Sequence, residues 1–162
     1  QLENGWAVKR DLIGDYGDNY ALRAAVAMIG LGALSPAEMA YPNTRVDAQN
    51  NPLSGKFSYV LKFAAGKTPP VDAFWSLTMY DKEGFLVDNP IGRYAIGDRD
   101  ILNFNKDGSL EIVIQHGKPS ADNANWLPTP KGGFELTLRL MSPKETFLNG
   151  TWSLPPVEKQ SQ

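Results

Sequence analysis

The sequence predicts a mainly β protein: an antiparallel β-sandwich of jelly-roll type with one or two amino-terminal helices. Its hydrophobic pattern is helical before residue 35 and alternates with a period of two after residue 55. Turn residues separate the later strand-like segments at short intervals, with no helical segment between them. Short hairpin connections of this kind favour antiparallel sheets. With 162 residues, the chain is expected to form one domain.

The amino-terminal part, residues 6–34, is predicted to be helical. In its first stretch, apolar and long side chains recur at helical spacing, at Trp6, Lys9, Leu12 and Ile13. A glycine-containing turn at 14–17 then interrupts the pattern. We therefore expect a first helix that ends before this turn.

A second helix is predicted over residues 20–29, which are good helix formers. Asp18 or Asn19 can cap its amino terminus, and Gly30 can end it. The apolar segment that contains it, 21–34, is shorter than the roughly twenty residues of a membrane-crossing helix. We expect a core helix and no membrane span.

A connection rich in Pro, Asn, Asp and Ser follows at 35–55 and is expected to be irregular and exposed. The β-sandwich is assigned to 56–154, and the polar tail 155–162 is expected to fray.

Strands are predicted where β-branched and aromatic residues alternate with polar ones. These segments are 57–63, 73–80, 85–87, 110–116 and 134–140, with a further strand beginning at Thr151-Trp152. Turns with glycine precede three of them, at 81–84, 105–108 and 149–150. The pattern predicts about six to eight strands.

Composition excludes several function classes. The net charge is −2 and the pI is about 5.4, so the chain lacks the basic surface that nucleic acid requires. It has no cysteine and a single histidine, His116, so thiolate and two-histidine metal sites cannot form. Gly66-Lys67-Thr68 resembles the end of a phosphate loop, but Leu61 stands where that loop needs glycine. We expect neither a cofactor nor a bound metal.

Several blocks of the sequence together form a distinctive pattern: Arg23 to Ala27 with Gly30, Tyr41-Pro42, Asp47, 69–80, Asn89-Pro90, Arg93-Tyr94, Ile96 to Asp98, Asp107 to Leu110, Asn125 to Pro128, Phe134, Leu136, Leu138 to Leu140 and Gly150 to Trp152. These blocks resemble the bacterial family called domain of unknown function 1214. The resemblance as a whole covers about residues 15–157, with Met141 in place of an expected aromatic.

The resemblance implies a jelly-roll β-sandwich and, frequently, an exported bacterial protein. A periplasmic or secreted location is therefore expected, with a cytoplasmic one left open. In longer proteins such a domain is often the carboxy-terminal partner of a second uncharacterised domain, numbered 1254, so a missing partner domain or a homo-oligomer is also left open. The resemblance implies no established reaction.

Two pairs within these blocks form the candidate ligand site, Arg93-Tyr94 and Asn125-Trp126. Turn formers place each pair in a loop, and loops gather at the ends of a sandwich. If the loops converge, Arg93 offers a planar donor fork, Asn125 an amide, and Tyr94 and Trp126 a stacking wall. Such a site suits a small polar or carbohydrate-like ligand. In the alternative, these groups only hold the loops through backbone carbonyls.

Three functions follow from these observations. The first is a non-catalytic envelope domain that binds a small polar ligand or acts as a scaffold. The second is a hydrolase-like enzyme with a site near Arg93, Tyr94, Asp98 and His116, although no catalytic motif supports it. The third is a pure assembly module that uses a sheet edge. Of these three functions, the sequence favours those in which the protein is not an enzyme.

Overall fold

The computed structural model describes residues 2–161, except for the side chain of Ile29. Two sheets account for the strands of this part of the chain. The elements are β1 Leu2–Glu3, β2 Trp6–Ala7, α1 Tyr20–Ile29, β3 Met39–Ala40, β4 Asn43–Thr44, β5 Tyr59–Phe63, β6 Val71–Asp81, β7 Ala95–Gly97, β8 Leu110–Gln115, β9 Asn125–Pro128, β10 Phe134–Pro143, α2 Glu145–Leu148 and β11 Val157–Lys159.

The larger sheet has the order β1-β2-β4-β10-β6-β7, and β3 also pairs with β10. Its centre is the long antiparallel pair β6 and β10, in which Leu136 lies opposite Met79 and Leu138 opposite Leu77. The smaller sheet has the order β11-β5-β8-β9. It is antiparallel except for β9, which runs parallel to β8.

Both sheets contribute to one hydrophobic core. Alternate residues of β10 are fully buried, as are their counterparts on β5 and β8, because a strand directs every second side chain to the same face. The core includes Leu136, Leu138, Leu61, Ile112 and Ile114. The prediction of a mainly β protein is confirmed, and the jelly-roll arrangement stays a prediction.

The prediction of a helix near residues 6–13 is wrong. Trp6 lies in β2 and is fully buried, and Val8, two residues on, is also buried. This spacing of two belongs to an extended chain, and the Trp6 indole Nε1 donates to the carbonyl of Pro155 at 2.9 Å. Leu12 has a φ of 61° and Gly14 one of 83°, so this stretch cannot continue as a right-handed helix.

The second predicted helix is present as α1. Asn19 accepts a hydrogen bond from the Leu22 amide, as a capping residue does, and Gly30 is the carboxy-terminal cap. The expectation of a core helix is wrong, because Val26 is buried but Met28 is 87% exposed. The helix lies outside the core, over the outer face of the larger sheet. Within the described residues, no helix has the length and apolar content to cross a bilayer.

Two other segments differ from the sequence predictions. The connection 35–55 contains β3 and β4, which pair with β10. The tail contains β11, which pairs with β5. Its residue Val157 lies opposite Leu61 and is buried. Gln162, the last residue of the predicted tail, lies outside the described residues.

The predicted turns are present, but two of the expected strands are not. Gly84 and Gly108 adopt φ values of 89° and 80° in tight turns. After the first turn, a single bridge between Tyr80 and Leu86 replaces the strand predicted at 85–87. Trp152 follows α2 in an irregular segment and donates to a main-chain carbonyl, so no strand begins there.

Candidate functional site

The two predicted loops meet at Arg93 and Trp126. The Arg93 guanidinium donates through Nη1 to the Trp126 carbonyl oxygen at 2.9 Å. Asn89 holds the backbone of Arg93 from both sides, since its Oδ1 accepts from the Arg93 amide and its Nδ2 donates to the Arg93 carbonyl. The segment around Trp126 is strand β9, where the sequence predicted a loop.

The side chains of Asn125 and Trp126 are engaged within the fold. The Asn125 amide nitrogen donates to the carbonyls of Asn103 and Glu111, and its oxygen accepts from the Asn103 amide. The Trp126 indole donates to the Gln115 carbonyl at 2.9 Å, and both side chains are buried. Tyr94 is 38% exposed. Ligand binding by these four residues stays a prediction, and none of them lines either cavity described below.

The residues of the hydrolase-like alternative have separate partners. His116 is exposed, and its Nδ1 lies 2.7 Å from the Thr129 carbonyl oxygen. The Asp98 carboxylate accepts from the Trp75 amide at 3.2 Å. Over the described residues, no hydrogen bond connects His116 with Asp98, Arg93 or Tyr94.

A cavity of about 560 Å³ lies between α1, with the turn that follows it, and the outer face of the larger sheet. Its two sides differ in chemistry. Polar side chains from the sheet line one side, and they include Asn43, Arg45, Tyr80, Glu135, Thr137 and Arg139. Apolar residues line the other side, and they include Ile13, Val26, Leu31, Ala33 and Pro36.

Arg139 is the central polar residue of this cavity. Its Nη1 donates to the Thr78 hydroxyl and its Nη2 to the Tyr80 hydroxyl, each at 2.6 Å. The guanidinium carbon lies 5.7 Å from the centre of the Tyr80 ring. Arg139 is half-buried, and in the described part of the chain no carboxylate comes within 4.0 Å of it. The guanidinium is therefore held in place by neutral groups alone.

The strand register explains why these side chains meet. On the face of β10 that points away from the core, Thr137 lies opposite Thr78 of β6 on one side and Asn43 of β4 on the other. Arg139 lies opposite Ser76, one step along the same face, and its long side chain reaches diagonally to Thr78 and Tyr80.

An ion pair lies at another part of the cavity wall. Arg45 Nε donates to Glu135 Oε2 at 2.5 Å, and the Arg45 side chain is largely exposed while that of Glu135 is mostly buried. Glu135 is the only carboxylate among the lining residues that the structure describes, and Arg45 offsets its charge. Lys9 also lines the cavity, so the wall as a whole carries more positive than negative charge.

Sequence reasoning did not single out this site. Arg139 belongs to one of the family blocks, and it lies in the middle of the most regular alternating segment, between Thr137 and Met141 on its polar face. An arginine on the polar face of a central strand was the available signal. The position of α1, which contributes to the other side of the cavity, has no such signal.

A smaller cavity of about 300 Å³ lies beside the short edge strand β7. Arg99 stacks over the Phe74 ring at 4.2 Å, and Asp100 accepts from the Gly97 amide at 2.8 Å. Both charged side chains therefore already have a partner within the protein.

Comparison with solved structures shows that the fold recurs. The chain is similar to the VPA0106 protein of Vibrio parahaemolyticus, with 28% identity and a TM-score of 0.74 over 94% of this chain. It spans 38% of the length of that protein. A second, weaker match is an uncharacterized protein from Burkholderia cenocepacia, with 17% identity, a TM-score of 0.47, and coverage of 81% of this chain and 32% of that one.

No curated protein matches the sequence significantly. A family model does match it, over residues 38–145. That range covers β3 to the start of α2, and it contains most of the polar wall of the larger cavity together with Arg93 and Trp126. Because the match covers well over half of the sequence, the chain belongs to the family described as Protein of unknown function (DUF1214), as the resemblance predicted.

Proposed function

We propose that the protein is a non-catalytic binding domain that holds a small polar ligand in the cavity between α1 and the larger sheet. The observation that carries this proposal is Arg139, a half-buried cation that faces the cavity without a carboxylate partner in the described residues. An unpaired cation is costly to desolvate, so a ligand that supplies the missing acceptors gains binding energy there. The volume of the cavity is in the usual range for small-molecule sites.

The composition of the cavity supports binding rather than catalysis. As far as the structure describes the chain, its lining includes no histidine and no serine. Its carboxylate, Glu135, is already paired with Arg45. A hydrolytic site requires a nucleophile or an activated water beside a group that can exchange protons, and Glu135, the candidate for that group, is held in the ion pair with Arg45.

The experiment tests binding and its location together. Purified protein is screened by thermal unfolding and calorimetry against carboxylates, sugars and amino acids, and the variant Thr137→Trp fills the cavity. Tyr94→Ala is the matched control because it alters the loop site and leaves the cavity intact. We expect a compound that binds the wild type and Tyr94→Ala but not Thr137→Trp. Binding that survives Thr137→Trp, or no binding to the wild type, would contradict the proposal. Loss in Tyr94→Ala alone would assign the ligand to the loops.

The proposed location is the bacterial envelope, with the protein periplasmic or secreted. The support for it is the family resemblance. Fractionation of the source bacterium, followed by immunoblotting with a cytoplasmic marker as control, tests it. Recovery of the protein with the cytoplasmic marker would contradict it.

A further inference from the structure

We infer that the ligand of this cavity is an amphipathic monocarboxylate, an organic acid with one carboxylate and an apolar body. The inference rests on the proposed function and names its ligand class. In this arrangement the carboxylate binds at Arg139, and the apolar body lies against the α1 side of the cavity.

The donors around Arg139 select an anion. A guanidinium has five N–H donors, and the hydroxyls of Thr78 and Tyr80 account for two of them. Each hydroxyl accepts from Arg139, so its own hydrogen is directed elsewhere and is available to a further acceptor. The three side chains together thus present donors and little acceptor capacity. A carboxylate, which accepts several hydrogen bonds and pairs with a guanidinium fork, is the complementary group.

The opposite side of the cavity selects an apolar body. Ile13, Val26, Leu31 and Pro36 face the same space and offer no charged group. A polyol or a sugar would leave its hydroxyls without partners on that side, and this desolvation is costly. An alkyl or aromatic body instead removes apolar surface from water as it binds.

Glu135 argues against a second negative charge on the ligand. Its carboxylate lines the same cavity, whereas the two cations on that part of the wall that could attract a second anion, Arg45 and Lys9, are largely exposed, and Arg45 is already paired with Glu135. A second carboxylate near Glu135 would meet like charge, which lowers affinity. A monocarboxylate can place its single charge at Arg139 and keep an uncharged body away from Glu135.

The test is calorimetric titration with butanoate, hexanoate, octanoate and decanoate below their micelle concentrations. The matched probes are octanol, which lacks the charge, and octanedioate, which adds a second one. We expect the affinity for monocarboxylates to rise about fourfold per added methylene until the cavity is filled. We expect octanoate to bind at least about tenfold more tightly than octanol or octanedioate.

Variants assign the carboxylate to Arg139. Arg139→Met should weaken octanoate binding by about tenfold or more and bring it level with octanol. Arg139→Lys should retain part of the preference. Arg99→Met is the matched control, since it removes an arginine that lies outside this cavity. Tyr80→Phe removes one donor and supplies a second variant if Arg139→Met fails to fold, and it should reduce the preference for octanoate over octanol.

Three other outcomes would overturn the inference, the proposed function or both. Equal affinity for octanoate and octanol in the wild type, or a preference unchanged in Arg139→Met or Tyr80→Phe, would overturn the inference. If sugars or amino acids bind in a manner blocked by Thr137→Trp while octanoate does not, the inference fails and the proposed function stands. If no probe binds the cavity, both fail.

Discussion

Arg93 donates through Nη1 to the carbonyl oxygen of Trp126, and this bond fastens the turn after Asn89 to strand β9. It links the two loops that sequence reasoning brought together. Because the guanidinium binds the protein's own backbone here, we expect substitution of Arg93 to lower the stability of the fold.

Replacement of Arg93 by Ala should lower the free energy of unfolding by about 1–3 kcal/mol, because a charge-assisted hydrogen bond to a partly buried carbonyl is lost. Urea unfolding followed by fluorescence measures this. Arg93→Lys should recover part of the loss. An unchanged unfolding midpoint in Arg93→Ala would show that the bond contributes nothing, and the loop site would then regain a free donor fork.

Replacement of Gly97 by Ala should destabilise the protein by about 2–3 kcal/mol through overpacking. A Cβ at this position would lie 2.1 Å from the Trp75 carbonyl oxygen on the neighbouring strand, and that backbone has no space to move without disturbing β6. Gly117→Ala is the control, since nothing lies within 4 Å of its added Cβ. Equal melting temperatures for the two variants would refute the close approach of β7 to β6.

Replacement of Glu3 by Gln should destabilise the protein at neutral pH and have little effect in acid. Arg10 binds the Glu3 carboxylate through both of its terminal nitrogens, and this contact holds the pKa of Glu3 below its ordinary value of 4.5. A lowered folded-state pKa stabilises the protein above the unfolded-state pKa, and the benefit is lost as the pH falls through the folded-state value.

The measurement for Glu3 is the difference in unfolding free energy between wild type and Glu3→Gln from neutral pH down to about pH 3. We expect this difference to shrink below the ordinary glutamate pKa. A constant difference across that range would mean that the ion pair does not couple to folding. Glu83→Gln is a suitable control, because Glu83 is exposed and pairs with its exposed neighbour Lys82.

Replacement of Asn19 by Ala should loosen α1 and leave the sheets unaffected. The Asn19 side chain accepts from the Leu22 amide at 3.0 Å, and loss of such a cap costs about 1 kcal/mol. Amide hydrogen exchange should quicken in residues 20–29 and stay unchanged in β10. Asn19→Asp should preserve protection, since aspartate caps equally well. Unaltered exchange in Asn19→Ala would show that α1 does not depend on its cap.

Sequence reasoning succeeded where a strand has one buried and one polar face. In β10 and β8 the burial alternates residue by residue, so the local pattern carries the whole signal. It failed at β9, whose four residues are all buried and therefore show no alternation. It also failed at residues 6–13, where two buried residues, Trp6 and Val8, are too few to separate a period of two from one of 3.6.

The candidate site was predictable only in part. The approach of Arg93 to Trp126 followed from turn residues and from the tendency of loops to gather at the ends of sheets. The larger cavity depends on how α1 lies across the outer face of the sheet, and this is a tertiary relationship between segments far apart in sequence. The sequence pattern predicts the polar face of β10, but it does not predict that α1 lies over this face.

Strand β10 pairs with β3, β4 and β6, all of which precede it in the chain. During synthesis, β6 therefore leaves the ribosome long before its central neighbour exists. Its middle, Phe-Trp-Ser-Leu-Thr-Met-Tyr, combines high β-propensity with no charge, the composition of a segment that associates with copies of itself when its edge is unpaired. Nascent or truncated chains that end before residue 134 expose that edge. The arrangement that gives the finished protein its central pair of strands thus makes incomplete chains prone to aggregation.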